Sequence, residues 1–119
     1  MSEPTGAEDC PFCKIATGDL DADVVHETPT TVAVRDLNPQ APTHILVIPR
    51  SHYPNAAALA AAEPDTAAHL FDAASAVADS EGLGESYRLV LNTGASAHQT
   101  VFHAHMHVLG GRSMTWPPG

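Results

Sequence analysis

Basic residues are scarce: five lysines and arginines stand against fourteen aspartates and glutamates, a formal charge of −9. That balance speaks against a nucleic-acid polymer as partner, because such binding needs clustered cations against phosphates. A small anionic nucleotide remains compatible where a site supplies local donors against the global field. Long apolar runs are also missing. No stretch approaches the ~20 residues that span a bilayer, so no membrane partner is expected. The N-terminus lacks a basic region followed by an apolar run. No secretory leader is expected, which implies the cytoplasm and reduced thiols. Cysteine is limited to Cys10 and Cys13. A chain of 119 residues can still bury roughly two-thirds of its unfolded surface without disulfides. Neither a linker nor an internal repeat divides it, so we expect one domain over 10–119 behind a disordered, acidic tail, 1–9.

What is present reads as alternating short elements. Cys10-Pro11-Phe12-Cys13 and the residues after it suggest a short helix stopped by Gly18. Residues 23–26 and 31–36 look like strands around a Thr-Pro turn, and 37–42 like a rigid loop with two prolines. A third, more apolar strand runs from His44 to Ile48, and Asn55 to Ala62 suggests a short alanine-rich turn of helix. Pro64 then opens the long helix at its first position. Ala67, Leu70, Phe71, Ala74, Val77 and Ala78 form its apolar stripe, and Gly82 or Gly84 ends it. His69 beside that stripe is expected to be structural. Residues 87–92 and 102–108 complete the strands, with a loop over 92–99. Strands interrupted by one long and one short helix, with hairpin-length connections, indicate an α+β fold with an antiparallel sheet of about five strands.

The stretch from Phe102 to Val108 alternates apolar residues with His103, His105 and His107. On a strand these histidines would share one face while Phe102, Ala104, Met106 and Val108 meet the core. The outer two would stand about 13 Å apart, too far to converge readily on one ion bound at about 2 Å. A row of imidazoles with divided roles fits this spacing better than a single metal centre. The plain alternative is an exposed strand face. Neutral imidazole suits attack on phosphorus, since its unperturbed pKa is about 6.5 and a second ring nitrogen can carry the proton.

Gln99-Thr100-Val101-Phe102-His103-Ala104-His105-Met106-His107-Val108 resembles the histidine triad pattern. The likeness is to the Hint branch, the nucleoside phosphoramidases. Supporting motifs are Gln40-Ala41-Pro42-Thr43-His44-Ile45-Leu46-Val47-Ile48-Pro49, Leu109-Gly110-Gly111-Arg112 and Trp116-Pro117-Pro118-Gly119. The resemblance implies a homodimer with one continuous larger sheet and hydrolysis of purine nucleoside 5′-monophosphoramidates. It makes His105 the nucleophile, His107 a donor to phosphate and His44 a support, with Thr100 where the branch usually has serine. Asp36 would hold the ribose, Phe12, Ile15 and Leu37 the base, and Asn92 and Gln99 the phosphate and leaving group. Core packing is the plainer reading of Phe12, Ile15 and Leu37. Trp116 would reach the partner's leaving-group pocket; the alternative is a tail packed on its own protomer. His98 departs from the small residue expected at its position.

Cys10 and Cys13 admit three readings. A redox pair would need a βαβ context that the sequence does not supply. Inert core thiols are the second. The third is zinc, for which the resemblance adds His52 and His103 as ligands, leaving His103 structural while His105 acts. Two other functions remain open: a dinucleoside polyphosphate hydrolase of the same superfamily, and a nucleotide-binding or scaffolding module with incidental hydrolysis.

Overall fold

The computed structural model describes residues 9–119; the expected acidic tail, Asp9 apart, lies outside them. Helix α1 (Pro11–Thr17) leads to strands β1 (Val24–Glu27), β2 (Thr31–Arg35) and β3 (Thr43–Pro49). Helices α2 (Ala56–Ala62) and α3 (Pro64–Ser80) follow, then β4 (Tyr87–Val90) and β5 (Met106–Gly110). The sheet order is β1-β2-β3-β5-β4 with every pair antiparallel, so the expected α+β class and five strands are observed. There are two short helices rather than one beside the long α3.

Local chemistry sets the ends. Pro11 and Pro64 each occupy the opening turn of a helix, where a missing N–H is harmless. The Asn55 side chain accepts from the Ala58 N–H and caps α2. Gly82 takes φ 74° after α3. There its N–H donates to Asp79 O and that of Leu83 to Ala78 O, the paired closure that a left-handed residue permits.

Both faces of the sheet are covered in its middle. Ala33, Ile45, Val47, Met106 and Val108 meet Leu70, Ala73, Ala74 and Val77 of α3. Val32, Val34, Leu46 and Ile48 meet Cys10 and Phe12 at the other face. That double cover explains why β3 is buried along its whole length and reads as a continuous apolar run. The α3 stripe departs from expectation at Phe71, which is 53% exposed, whereas Ala73 is buried. His69 is half-buried, with Nδ1 2.9 Å from the Thr30 hydroxyl.

The last strand is shorter than the alternation predicts. Sheet pairing starts at Met106, although Ala104 already joins the α3-side core. The reason lies in 103–105: the Ala104 N–H donates to Tyr53 O at 2.8 Å, and His103 is drawn into the cysteine cluster. The chain therefore reaches the sheet only after delivering two histidines elsewhere.

Candidate functional site

The three histidines occupy three different environments rather than one uniform row. His103 is fully buried, and its Nε2 sits 2.8 Å from Pro49 O. A carbonyl only accepts, so Nε2 carries the proton and Nδ1 keeps its lone pair. His105 is oriented oppositely. Its Nδ1 lies 2.7 Å from His103 O and must donate, which leaves the Nε2 lone pair free. Phe12 stands edge-on to both rings, at centroid distances of 6.0 and 4.8 Å.

His107 takes its tautomer from His44. The Gln40 backbone N–H donates to His44 Nδ1 at 3.0 Å, so the proton of neutral His44 rests on Nε2. That Nε2–H faces His107 Nδ1 at 2.9 Å, which makes His107 Nδ1 an acceptor and Nε2 a donor. Asp36 Oδ2 lies 3.5 Å from the same His44 nitrogen. Burial lowers the pKa of all four imidazoles. His107 falls to about 4, with the His105 and His44 charges adding to burial and Asp36 opposing it. His103 also falls to about 4. His105 is held below its usual range by burial, against the His103 carbonyl and Asp36; in His44 burial wins over Asp36. Near neutrality the site therefore holds a free imidazole lone pair on His105 and, on His107, an N–H.

Two clefts meet at this pair. One, about 330 Å³, is lined by Phe12, Ile15, Val34, Leu37 and Leu46, with Leu20 and Val101 among others. The second, about 520 Å³, is polar and includes Asn38, His44, Asn92 and His98. Asp36, Thr100, His105 and His107 line both. A ligand with an apolar ring and a polar substituent would span both, with its junction at the shared wall.

The cysteine cluster lies behind His105. Cys10 Sγ is 3.3 Å from His103 Nδ1, Cys13 Sγ is 3.3 Å from His52 Nδ1, and the two Nδ1 atoms are 3.0 Å apart. All four donor atoms fall within 4.8 Å of one another. A tetrahedral ion held by two thiolates and two imidazoles has edges of roughly 3.3–3.8 Å, close to this geometry. The donor chemistry agrees, since the His103–Pro49 bond aims a lone pair inward as metal-ligating histidines require. Both neighbours of His52 in sequence are tied down: Ser51 and Tyr53 hydroxyls, with that of Thr66, each donate to the Glu63 carboxylate at 3.0 Å, and these bonds hold that carboxyl below the usual range. Asp36, His44 and His107 also come within 4.8 Å. There His44 Nε2 keeps its proton, so that group offers no comparable donor set.

The domain model for the HIT domain matches residues 17–114. The chain belongs to the HIT family. An uncharacterized HIT-like protein of Synechococcus elongatus is 47% identical, covering 95% of this chain and 99% of that one. The 14 kDa zinc-binding protein of Zea mays is 46% identical over 91% of this chain and 86% of its own length. Among solved structures, a HIT family hydrolase from Legionella pneumophila superposes with TM-score 0.89 at 46% identity, covering 93% and 100% of the two chains. A histidine triad nucleotide-binding protein from Candida albicans gives 0.80 at 27%, covering 93% and 85%. A zinc-bound histidine triad family protein from Mycobacterium smegmatis gives 0.77 at 32%, covering 90% and 78%.

Within this HIT protein most expected site residues converge. Phe12, Ile15, Asp36, Leu37, Thr100, His105 and His107 line the apolar cleft, and Asn92 and His44 the polar one. Core packing alone does not describe Leu37, which is fully exposed at the rim. Gln99 departs from expectation. It is buried, and its amide is taken up by the Gly94 N–H and the carbonyls of Pro54 and Val101, so it braces the loop and does not face either cleft. Trp116 is 82% exposed, so the tail does not bury it on its own protomer. Sequence reasoning missed Val34 and Leu46 as cleft wall, Glu63 as the acceptor that holds Ser51 and Tyr53 on either side of His52, and the Gln40 N–H and Pro49 carbonyl. Backbone groups have no residue signature, and Val34 and Leu46 read as ordinary strand core.

Proposed function

We propose that this protein is a phosphoramidase of the Hint branch, hydrolysing the P–N bond of purine nucleoside 5′-monophosphoramidates. The observation that carries this is the tautomer pair: His105 presents an Nε2 lone pair beside a His107 that presents an N–H. In the first step His105 Nε2 bonds to phosphorus and the P–N bond breaks. The departing nitrogen takes a proton from solvent past the Thr100 hydroxyl. The His103 carbonyl, already accepting from Nδ1, steadies the positive ring that forms, and His107 Nε2–H meets the phosphoryl oxygens. Water then attacks phosphorus, releasing nucleoside monophosphate, a proton and free His105.

The nucleoside would lie in the apolar cleft with Asp36 toward the ribose. Preference for purines comes from the family likeness, since Phe12, Ile15 and Leu37 carry no group that reads a purine edge. The HIT family hydrolase and nucleotide-binding protein among the structural neighbours support hydrolysis of a nucleotide. We assign zinc to Cys10, Cys13, His52 and His103, supported by their geometry and by the zinc-binding relatives. Bound there, the ion would act structurally, tying α1 to the segment that holds His105. The working form is a cytoplasmic homodimer with one continuous sheet, Trp116 of each tail reaching the other's leaving-group cleft.

Steady-state turnover of adenosine 5′-phosphoramidate against diadenosine polyphosphates tests the assignment. Preference for the phosphoramidate by about 100-fold or more supports it. The reverse order would make the protein a dinucleoside polyphosphate hydrolase, and nucleotide binding without turnover would make it a binding module.

A further inference from the structure

His98 is the one non-glycine residue with a positive φ among those described, at φ 68°, ψ 32°. A side-chain-bearing residue is costly there by roughly 1 kcal/mol, and such a conformation persists only where its surroundings impose it. They do here. Gln99 ties the loop to Pro54 and Val101, and the Gln99 N–H closes back on Gly94 O at 3.1 Å. The loop therefore presents the imidazole from a fixed backbone.

His98 lines the polar cleft together with Asn92 and Thr100, and is not among the residues lining the apolar one. His98 is exposed, unlike the other imidazoles of that cleft, and its ring makes no hydrogen bond to a described residue. No lysine or arginine lines the cleft, and its one carboxylate, Asp36, is already engaged by the Asn38 N–H. In a chain of charge −9, an anionic substituent would find here a local donor against an unfavourable field.

Resting on the phosphoramidase reading, we propose that His98 is a specificity-determining residue favouring phosphoramidates whose departing amine carries a carboxylate, such as amino-acid adducts. Its imidazole N–H donates to that carboxylate while His105 attacks phosphorus. The substituent leaves with the amine, so His98 acts on choice of leaving group and takes no part in bond exchange.

The test compares adenosine 5′-phosphoramidates of an amino acid and of its methyl ester, in wild type, His98→Gly and His98→Asn. Glycine accepts the positive φ freely, so the variant should melt no lower than wild type. The acid-to-ester ratio of kcat/KM should fall about tenfold in His98→Gly. Asparagine tolerates the same backbone and keeps a donor, so it should recover part of the ratio. A ratio unchanged in the glycine variant, with both substrates turned over, overturns this inference alone. No turnover of either substrate by wild type overturns the phosphoramidase reading and this inference with it.

Discussion

His44 Nε2 lies 2.9 Å from His107 Nδ1, and the Gln40 amide on the far side of the His44 ring settles which of them owns the proton. His44 thereby fixes the tautomer of His107 without touching a ligand held on His107 Nε2. Replacing His44 by alanine should lower kcat by roughly 10–100-fold, the usual effect of losing a partner that orients a functional imidazole. KM should change much less. A kcat near that of wild type with a large rise in KM would instead make His44 part of the binding wall.

The acid limb of activity provides a second check. The proposed attack requires neutral His105, held below the ordinary imidazole range by burial, beside His107 at about 4. Both groups bind protons less readily folded than unfolded, so lowering pH favours the unfolded chain. For His107 that stability is complete above about 6.5 and is lost as pH falls toward about 4, and His105 acts in the same direction. A kcat/KM profile should stay flat from pH 8 to about 6.5 and fall below that, together with the thermal midpoint. An acid limb centred above 6.5 contradicts the geometry.

Sequence and structure agree best where local chemistry decides. Pro11 and Pro64 at helix starts, Asn55 before α2 and Gly82 after α3 are each legible from one or two residues, and β3 is legible as the more apolar strand, although its cover on both faces is not. The start of β5 was not legible. Alternation continues through 102–105, but the Tyr53 carbonyl and the cysteine cluster claim that segment first. Phe71 fits a helical stripe by spacing yet points to solvent, because small Ala73 is what lies against the sheet. At the site, residue types were legible and orientations were not: the His103, Gln40 and Pro49 backbone groups set the tautomers, and Gln99 looks like a ligand-binding amide until its three backbone partners are seen.

Zinc can be checked without activity. Protein prepared without added metal should carry about one zinc per protomer, and Cys10→Ser should lose both the metal and thermal stability, since metal binding is coupled to folding. Thiol titration would not separate the cases, because burial and the neighbouring Cys10 already push metal-free Cys13 up to about 11. Metal analysis does. Metal-free protein with an unaltered melting point after mild preparation would remove zinc from the account.

Trp116 projects from a tail tethered by the bond from Arg88 Nη2 to Thr115 O at 2.9 Å. In the proposed dimer its indole would flank the partner's departing amine, where it can stack on aromatic groups. Deleting residues 115–119 should shift selectivity among bulky leaving groups by about tenfold, about 1.4 kcal/mol. Release of ammonia should change little. Uniform slowing of every substrate would assign the tail to stability or assembly.

The most direct measurement is mass spectrometry on protein quenched during turnover of a slow adenosine phosphoramidate. Nucleophilic attack by His105 predicts a nucleotidyl adduct on the peptide containing His105, mapped to that ring. His105→Asn should abolish the adduct and lower turnover by several orders of magnitude while nucleotide binding persists. An adduct on His107 or His103, or a His105→Asn protein retaining a tenth of wild-type turnover, would contradict it.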